Sequence, residues 1–144
     1  MKISTRGRYG LRLLIDLAFN TDEIHVSLSS VADRQRISAR YLEQVAVILK
    51  RAGFIRSIKG ASGGYILAMP PSDIVVGDVL RALEGDMSVV EPPRLDKPET
   101  KLQRCVRINV YDKLDQRILA VINSQTLASL VGAGNGTETL MYYI

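Results

Sequence analysis

The 144-residue chain has a single cysteine, Cys105, and a single histidine, His25. One cysteine excludes an intrachain disulfide framework. With no nucleophile motif beside them, these two residues assemble no catalytic set, so no enzyme activity is expected. No apolar run approaches the roughly 20 residues that cross a bilayer. The first residues, Met1-Lys2-Ile3-Ser4-Thr5-Arg6-Gly7-Arg8, lack the apolar core of a signal peptide. A cytoplasmic protein with no membrane partner is the expectation. Neither an internal repeat nor a low-complexity tract is visible. The length suits one domain, or one small domain with an extension.

Cations are present but unevenly placed. Residues 1–60 carry 11 Lys/Arg against 5 Asp/Glu, net +6, and residues 61–144 carry 8 against 10, net −2. The excess lies where a polyanion would be met, if one is met. Ser4 or Thr5 can cap a first helix running to about Asn20, with Leu13, Leu14, Leu17 and Ala18 facing a core. Lys2, Arg6, Arg8 and Arg12 crowd its start, against the helix dipole. They either face phosphates or form a solvated basic face. His25 falls in the loop at 21–26, where a lone histidine reads as a surface residue.

Residues 27–69 carry the strongest pattern. Ser27 caps a short helix, about Leu28–Arg36, and Ser38 caps another that Gly53 stops. In the latter, Leu42, Val45, Ala46, Leu49 and Ala52 form an inner stripe. Arg40, Tyr41, Glu43, Gln44, Val47 and Arg51 point outward or sideways. Phe54–Ile58 and Tyr65–Met69 read as two strands around the tip Lys59-Gly60-Ala61-Ser62-Gly63-Gly64. Helix, turn, helix and a basic hairpin is the order of a winged helix-turn-helix. Arg40 and Gln44 lie one turn apart near the helix start, where Arg pairs with guanine and Gln with adenine, and Glu43 can accept from cytosine. Taken alone, such a helix is equally an ordinary amphipathic one, and the motif can instead dock another protein. A phosphate loop is excluded at the tip, because no Lys-Ser/Thr follows its glycines and a strand, not a helix, comes next.

Residues 86–98, with Pro92, Pro93 and Pro98, read as a linker. It divides a domain at 1–85, which includes a short helix Asp78–Glu84 closed by Gly85, from an extension at 99–144. The extension opens on a helix from about Glu99 to Asn123. There Leu102, Val106, Val110, Leu114, Ile118 and Ile122 recur every four residues. So wide an apolar stripe needs a partner, and the expectation is the same helix of a second copy in a twofold dimer, with folding back onto the first domain as the alternative. A last short helix, Leu127–Val131, is expected after Thr126, then a flexible Gly132–Gly136. The ending Leu140-Met141-Tyr142-Tyr143-Ile144 is apolar for a free terminus. It either docks back or serves as a peptide ligand for another protein. The fold class expected is mainly α with a small β-wing.

Residues 1–11, the run Ile37-Ser38-x-x-Tyr41-Leu42-Glu43-Gln44, and Gly60-Ala61-x-Gly63-Gly64-Tyr65 resemble the Rrf-two family of bacterial winged-helix transcription regulators. Gly77–Gly85 and Thr126–Leu130 extend the similarity nearly end to end. The resemblance implies a homodimer on a palindromic double-stranded DNA operator, with crossed long helices as its spine. On the reading from α-helical spacing, Arg40, Glu43 and Gln44 would read bases. Ser38, Tyr41, Lys2, Arg6, Arg51 and Lys59 would position the backbone, with Gly60 near the minor groove. Many members hold an iron–sulfur cluster on three cysteines ahead of the long helix. Cys105 is similar to the third, but the others would fall near Pro93 and Glu99. No cluster and no other cofactor or metal is expected, since one thiolate is too few. Cys105 is then a small buried residue, with a thiol sensor as the alternative. The start Met1–Thr5 and the ending Tyr143-Ile144 are most similar to cluster-free members that repress cysteine metabolism with cysteine synthase as corepressor. On that resemblance, Tyr143 and Ile144 would enter the active site of cysteine synthase.

Overall fold

Ser4, not Thr5, caps the first helix. Its hydroxyl accepts from the Gly7 amide at 3.2 Å in a computed structural model that describes residues 1–142, with the side chains of residues 1–135. Tyr143 and Ile144, the proposed partner-binding tail, lie outside the described residues. Helix α1 spans Thr5–Phe19, and Leu13, Leu14, Leu17 and Ala18 are its buried face, as their spacing predicts. Ser27 caps α2, Leu28–Gln35, by accepting from Ser30 N at 3.1 Å. Arg36 ends α2 in the left-handed region at φ 55°, where Ile37 turns the chain into the core. Ser38 then caps α3, Ala39–Arg51.

Leu42, Val45, Ala46 and Leu49 of α3 are buried, whereas Ala52, expected in the same stripe, is exposed. Its helix has ended there, and Gly53 at φ 85° turns the chain away. Strands β1, Ile55–Ile58, and β2, Gly64–Leu67, pair antiparallel from Ile55↔Leu67 to Ile58↔Gly64. Val26 adds one bridge on the other side of β2, its N–H donating to Tyr65 O at 2.9 Å and its O accepting from Tyr65 N at 2.8 Å. This bridge brings the loop before α2 hard against the wing. His25 is consequently half-buried rather than a free surface residue, and its Nδ1 is enclosed without a hydrogen-bond partner. Gly64 permits the approach, since a Cβ there would lie 2.4 Å from Val26 O.

A 3-10 turn, Pro71–Asp73, leads to α4, Val76–Glu84, which Gly85 closes at φ 79°. A capping box then starts the long helix. Thr100 Oγ1 accepts from Gln103 N at 3.2 Å, and Gln103 Oε1 accepts from Thr100 N at 2.9 Å. The helix is not uniform. Segment α5, Lys101–Val106, passes through a π-turn at Arg107–Tyr111 into α6, Asp112–Asn123. A row repeating every four residues drifts about 40° per step around an α-helix of 3.6 residues per turn. The wider π-turn takes back part of that drift. In the single chain, Leu102 (74% exposed), Val110 and Leu114 of this row are open to solvent, and Val106, Ile118 and Ile122 are half-buried. Cys105, expected to be buried, is exposed, because among the described residues no other segment covers that face of α5.

The chain then returns to where it began. Leu127 N donates to Ile74 O at 3.0 Å and Val76 N to Gln125 O at 2.9 Å, and the Leu127 side chain is fully buried in the core built from α1, α2, α3 and α4. The expected short helix followed by flexible glycines is instead one helix, α7, Leu127–Tyr142. Packing against α1 outweighs the low helix propensity of Gly132, Gly134 and Gly136. Gly134 lets α7 close on Phe19, whose ring would stand 3.3 Å from an added Cβ. Helices and one two-stranded sheet make the molecule mainly α with a small β-wing.

Candidate nucleic-acid interface

Helix α3 has one face sealed in the core and the other bare. Arg40, Glu43, Gln44, Val47 and Arg51 are exposed, and so is the capping Ser38, whose Oγ accepts from Tyr41 N at 3.4 Å. Arg40, Glu43 and Gln44 therefore share the first two turns of one open face. Arg51 sits in the last turn, about 16 Å further along the axis at 1.5 Å per residue. Tyr41 is placed differently from its neighbours. It is half-buried, its ring edge-on to Tyr9 at 5.4 Å and 83°. Arg12 lies over the opposite partner of that pair, 5.5 Å from the Tyr9 centroid. This stack draws the first turns of α1 beside the first turn of α3. Lys2 and Arg6 are exposed at the start of α1, and Lys59 and Gly60 are exposed at the wing tip, where Gly60 takes φ 137°. Lys50 Nζ donates to Ser57 Oγ at 2.9 Å and ties the end of α3 to β1, and so to the wing.

Beneath this surface one buried carboxylate orders the helix-turn-helix. Asp16, 4% exposed, accepts from Arg34 Nη2 at 2.7 Å and Nε at 3.1 Å, and from Gln35 Nε2 at 2.9 Å. Asn20 Nδ2 reaches the same carboxylate at 3.3 Å. The Asp16 hydrogen bond raises the pKa of Arg34 above its ordinary value. Arg12 donates to the Gln35 carbonyl, at the end of α2. The turn into the reading helix is thus held from α1. Sequence reasoning missed Tyr9, Asp16, Arg34 and Gln35. Their partners lie 18 to 32 positions away along the chain, beyond any local pattern.

Comparisons with known proteins show the family. The family described as "Rrf2: Iron-dependent Transcriptional regulator" matches residues 3–133. The chain belongs to the Rrf2 family. The HTH-type transcriptional regulator CymR of Bacillus subtilis is 41% identical over 145 residues, covering 100% of both chains. The solved structure titled "The Structure of CymR (YrzC) the Global Cysteine Regulator of B. subtilis" superposes with a TM-score of 0.76 at 40% identity, over 92% of this chain and 98% of that one. A structure of T. potens IscR matches with a TM-score of 0.76 at 40% identity, over 93% and 88%. These Rrf2 relatives are transcriptional regulators, not enzymes, and the chain is a DNA-binding transcriptional regulator of this type.

The iron named in the Rrf2 description does not fit the donors present. Among the described residues no group of three or more His, Cys, Asp or Glu is placed to hold a metal ion. The lone thiol, Cys105, has Asn109 Nδ2 at 3.6 Å from its Sγ. Glu99 is spent on Arg107, accepting at 2.6 and 2.8 Å, and Arg107 also donates to Asp112 at 3.0 Å. The Arg107–Glu99 hydrogen bond holds the Glu99 carboxyl below its usual range and raises Arg107 further. The ion pairs fasten Glu99, just ahead of the long helix, to the π-turn beside a cavity of about 510 Å³, lined by groups such as Val90, Pro93, Leu102 and Tyr111. Among the described residues no helix is long and apolar enough to cross a membrane.

Proposed function

We propose that this regulator is a homodimer that reads a palindromic operator and represses genes of cysteine or sulfur metabolism, with cysteine synthase as corepressor. The observation that carries the reading is the open face of α3, where Arg40, Glu43 and Gln44 are exposed while Leu42, Val45 and Ala46 are sealed in the core. Arg40, Glu43 and Gln44 read base edges. Lys2, Arg6, Ser38, Arg51 and Lys59 position the duplex, and Gly60 brings the wing close to the minor groove. Tyr41 contributes through its packing on Tyr9 and through its hydroxyl. The exposed Leu102, Val110 and Leu114 supply the dimer seam, completed by Val106, Ile118 and Ile122. Identity with a protein titled a global cysteine regulator supports the metabolic assignment.

Binding selection on random duplexes, with and without cysteine synthase, tests the reading. Replacing Arg40 by Ala should cost about 1–3 kcal/mol at one base position and relax specificity there. Replacing Lys59 by Ala should weaken all duplexes alike and flatten the salt dependence by about one unit. Equal behaviour of the two variants on matched and mismatched duplexes would overturn this division of labour. Deleting Tyr143 and Ile144 should abolish capture of cysteine synthase and leave DNA binding intact. Undiminished capture would remove the tail from the account.

The exposure of Cys105 favours a second reading, in which its thiol senses oxidation. Operator binding by Cys105→Ser should then resist peroxide while the parent protein responds. An identical response in both rejects it.

A further inference from the structure

The basic start of α1 has no acidic residue in its first turn to balance it. Lys2, Arg6 and Arg8 are all exposed there, at the end of the helix dipole that favours anions. The balancing group comes from 80 residues away. Glu84, the last residue of α4, accepts from the Ser4 amide at 3.0 Å and from the Ser4 hydroxyl at 2.6 Å, both through Oε1. Ser4 Oγ in turn accepts from Gly7 N. One carboxylate oxygen thus closes the helix cap from outside. Gly7 provides the room, since a Cβ there would collide with Oε1.

The carboxylate is offered from a fixed base. Val79, Leu80 and Leu83 of α4 are buried in the core. Further anchors hold α4: Arg81, in its last turn, donates to Asn123 Oδ1 at 3.1 Å and to Asp78 Oδ1 at 2.7 Å, and at its first turn Val76 N is bonded to Gln125 O. Helix α4 is therefore anchored to the end of the long helix while its last residue holds the start of α1.

We propose that Glu84 is a positioning residue for DNA binding, fixing Ser4 so that Lys2 and Arg6 stand where they meet the phosphate backbone. The proposal rests on the reading that those two cations contact phosphates. It predicts a sign opposite to simple electrostatics. An added negative charge opposes a polyanion, so removal of Glu84 should tighten binding if charge alone mattered. If position matters, removal frees the segment and weakens binding.

The test is operator binding by the full chain across a salt series, with a thermal melt for each variant. The double variant Lys2→Ala/Arg6→Ala should lower the steepness of log K against log salt by about two units, near 0.9 per phosphate contact. Glu84→Ala should lower it by about one unit or more. Glu84→Gln keeps the oxygen acceptor for Ser4 and should restore the parent slope and affinity. Gly7→Ala should displace the carboxylate while favouring the helix, because Ala is the better helix former. It should weaken binding while the helix gain offsets part of the lost Ser4 bonds and keeps a cooperative melt, and it decides the matter if Glu84→Ala does not fold. Parent affinity and slope in both Glu84→Ala and Gly7→Ala, beside a reduced slope in the double variant, overturns the positioning role alone. An unchanged slope in the double variant overturns the phosphate reading, and the proposal falls with it.

Discussion

Asp16 is the residue on which the helix-turn-helix geometry turns. Its carboxylate gathers Arg34, Gln35 and Asn20 from two helices, and it is the charged side chain buried among the described residues. Asp16→Asn removes the charge and gives one oxygen where two were used. With Arg34 still 42% exposed and able to turn to water, the loss should be about 1–3 kcal/mol, read as a lower urea midpoint. Arg36 offers the opposite case. Its φ of 55° is costly for a residue with a Cβ, and glycine removes that cost while loosening the unfolded chain. Arg36→Gly should raise stability by about 0.5–1 kcal/mol in the same denaturation measurement. The caps Ser27 and Ser38 were legible in the sequence, and Ser4 as one of two candidates with Thr5, because a cap acts within three residues. Asp16 and Glu84 were not, because their partners are brought to them by folding.

At the scale of elements, periodicity predicted α1 to α4 and the hairpin well, for each buries one face on a single core. It failed at α7. Three glycines between 132 and 136 argue against a helix, and only the surface of α1 makes the helix worthwhile. Leu127 starts that helix from within the core. Leu127→Ala should destabilise the whole unit by about 2–5 kcal/mol, and one cooperative transition should shift rather than a C-terminal one alone. The long helix was legible as an element but not in its winding. No sequence signal marked the π-turn at Arg107–Tyr111, where Arg107 reaches both Glu99 and Asp112.

For the whole molecule, the +6 of residues 1–60 against the −2 of residues 61–144 separates the part proposed to face DNA from the rest. Leu114→Lys places a charge in the proposed seam, and the variant should elute at the mass of one chain in size-exclusion chromatography with light scattering. Elution at the parent mass would return the long helix to some other use. The start of the long helix responds to acid through Glu99. Its folded pKa lies below the unfolded value because Arg107 hydrogen-bonds the carboxylate. The fastening therefore contributes in full above the unfolded carboxylate range and is lost as pH falls through the folded pKa. The parent should have a higher urea midpoint than Glu99→Gln at pH 7, and the gap should close in acid.

Local chemistry in the chain was enough to determine the caps, the order of helices and strands, the outward residues of α3 and the family motifs. These depend on neighbours three or four positions away, which the chain itself places. The tertiary structure alone decided which distant carboxylates hold α1 and α2, that α7 completes the core, and that Cys105 is exposed. Each of those depends on which surfaces meet after the chain has closed on itself, and no local spacing encodes that meeting.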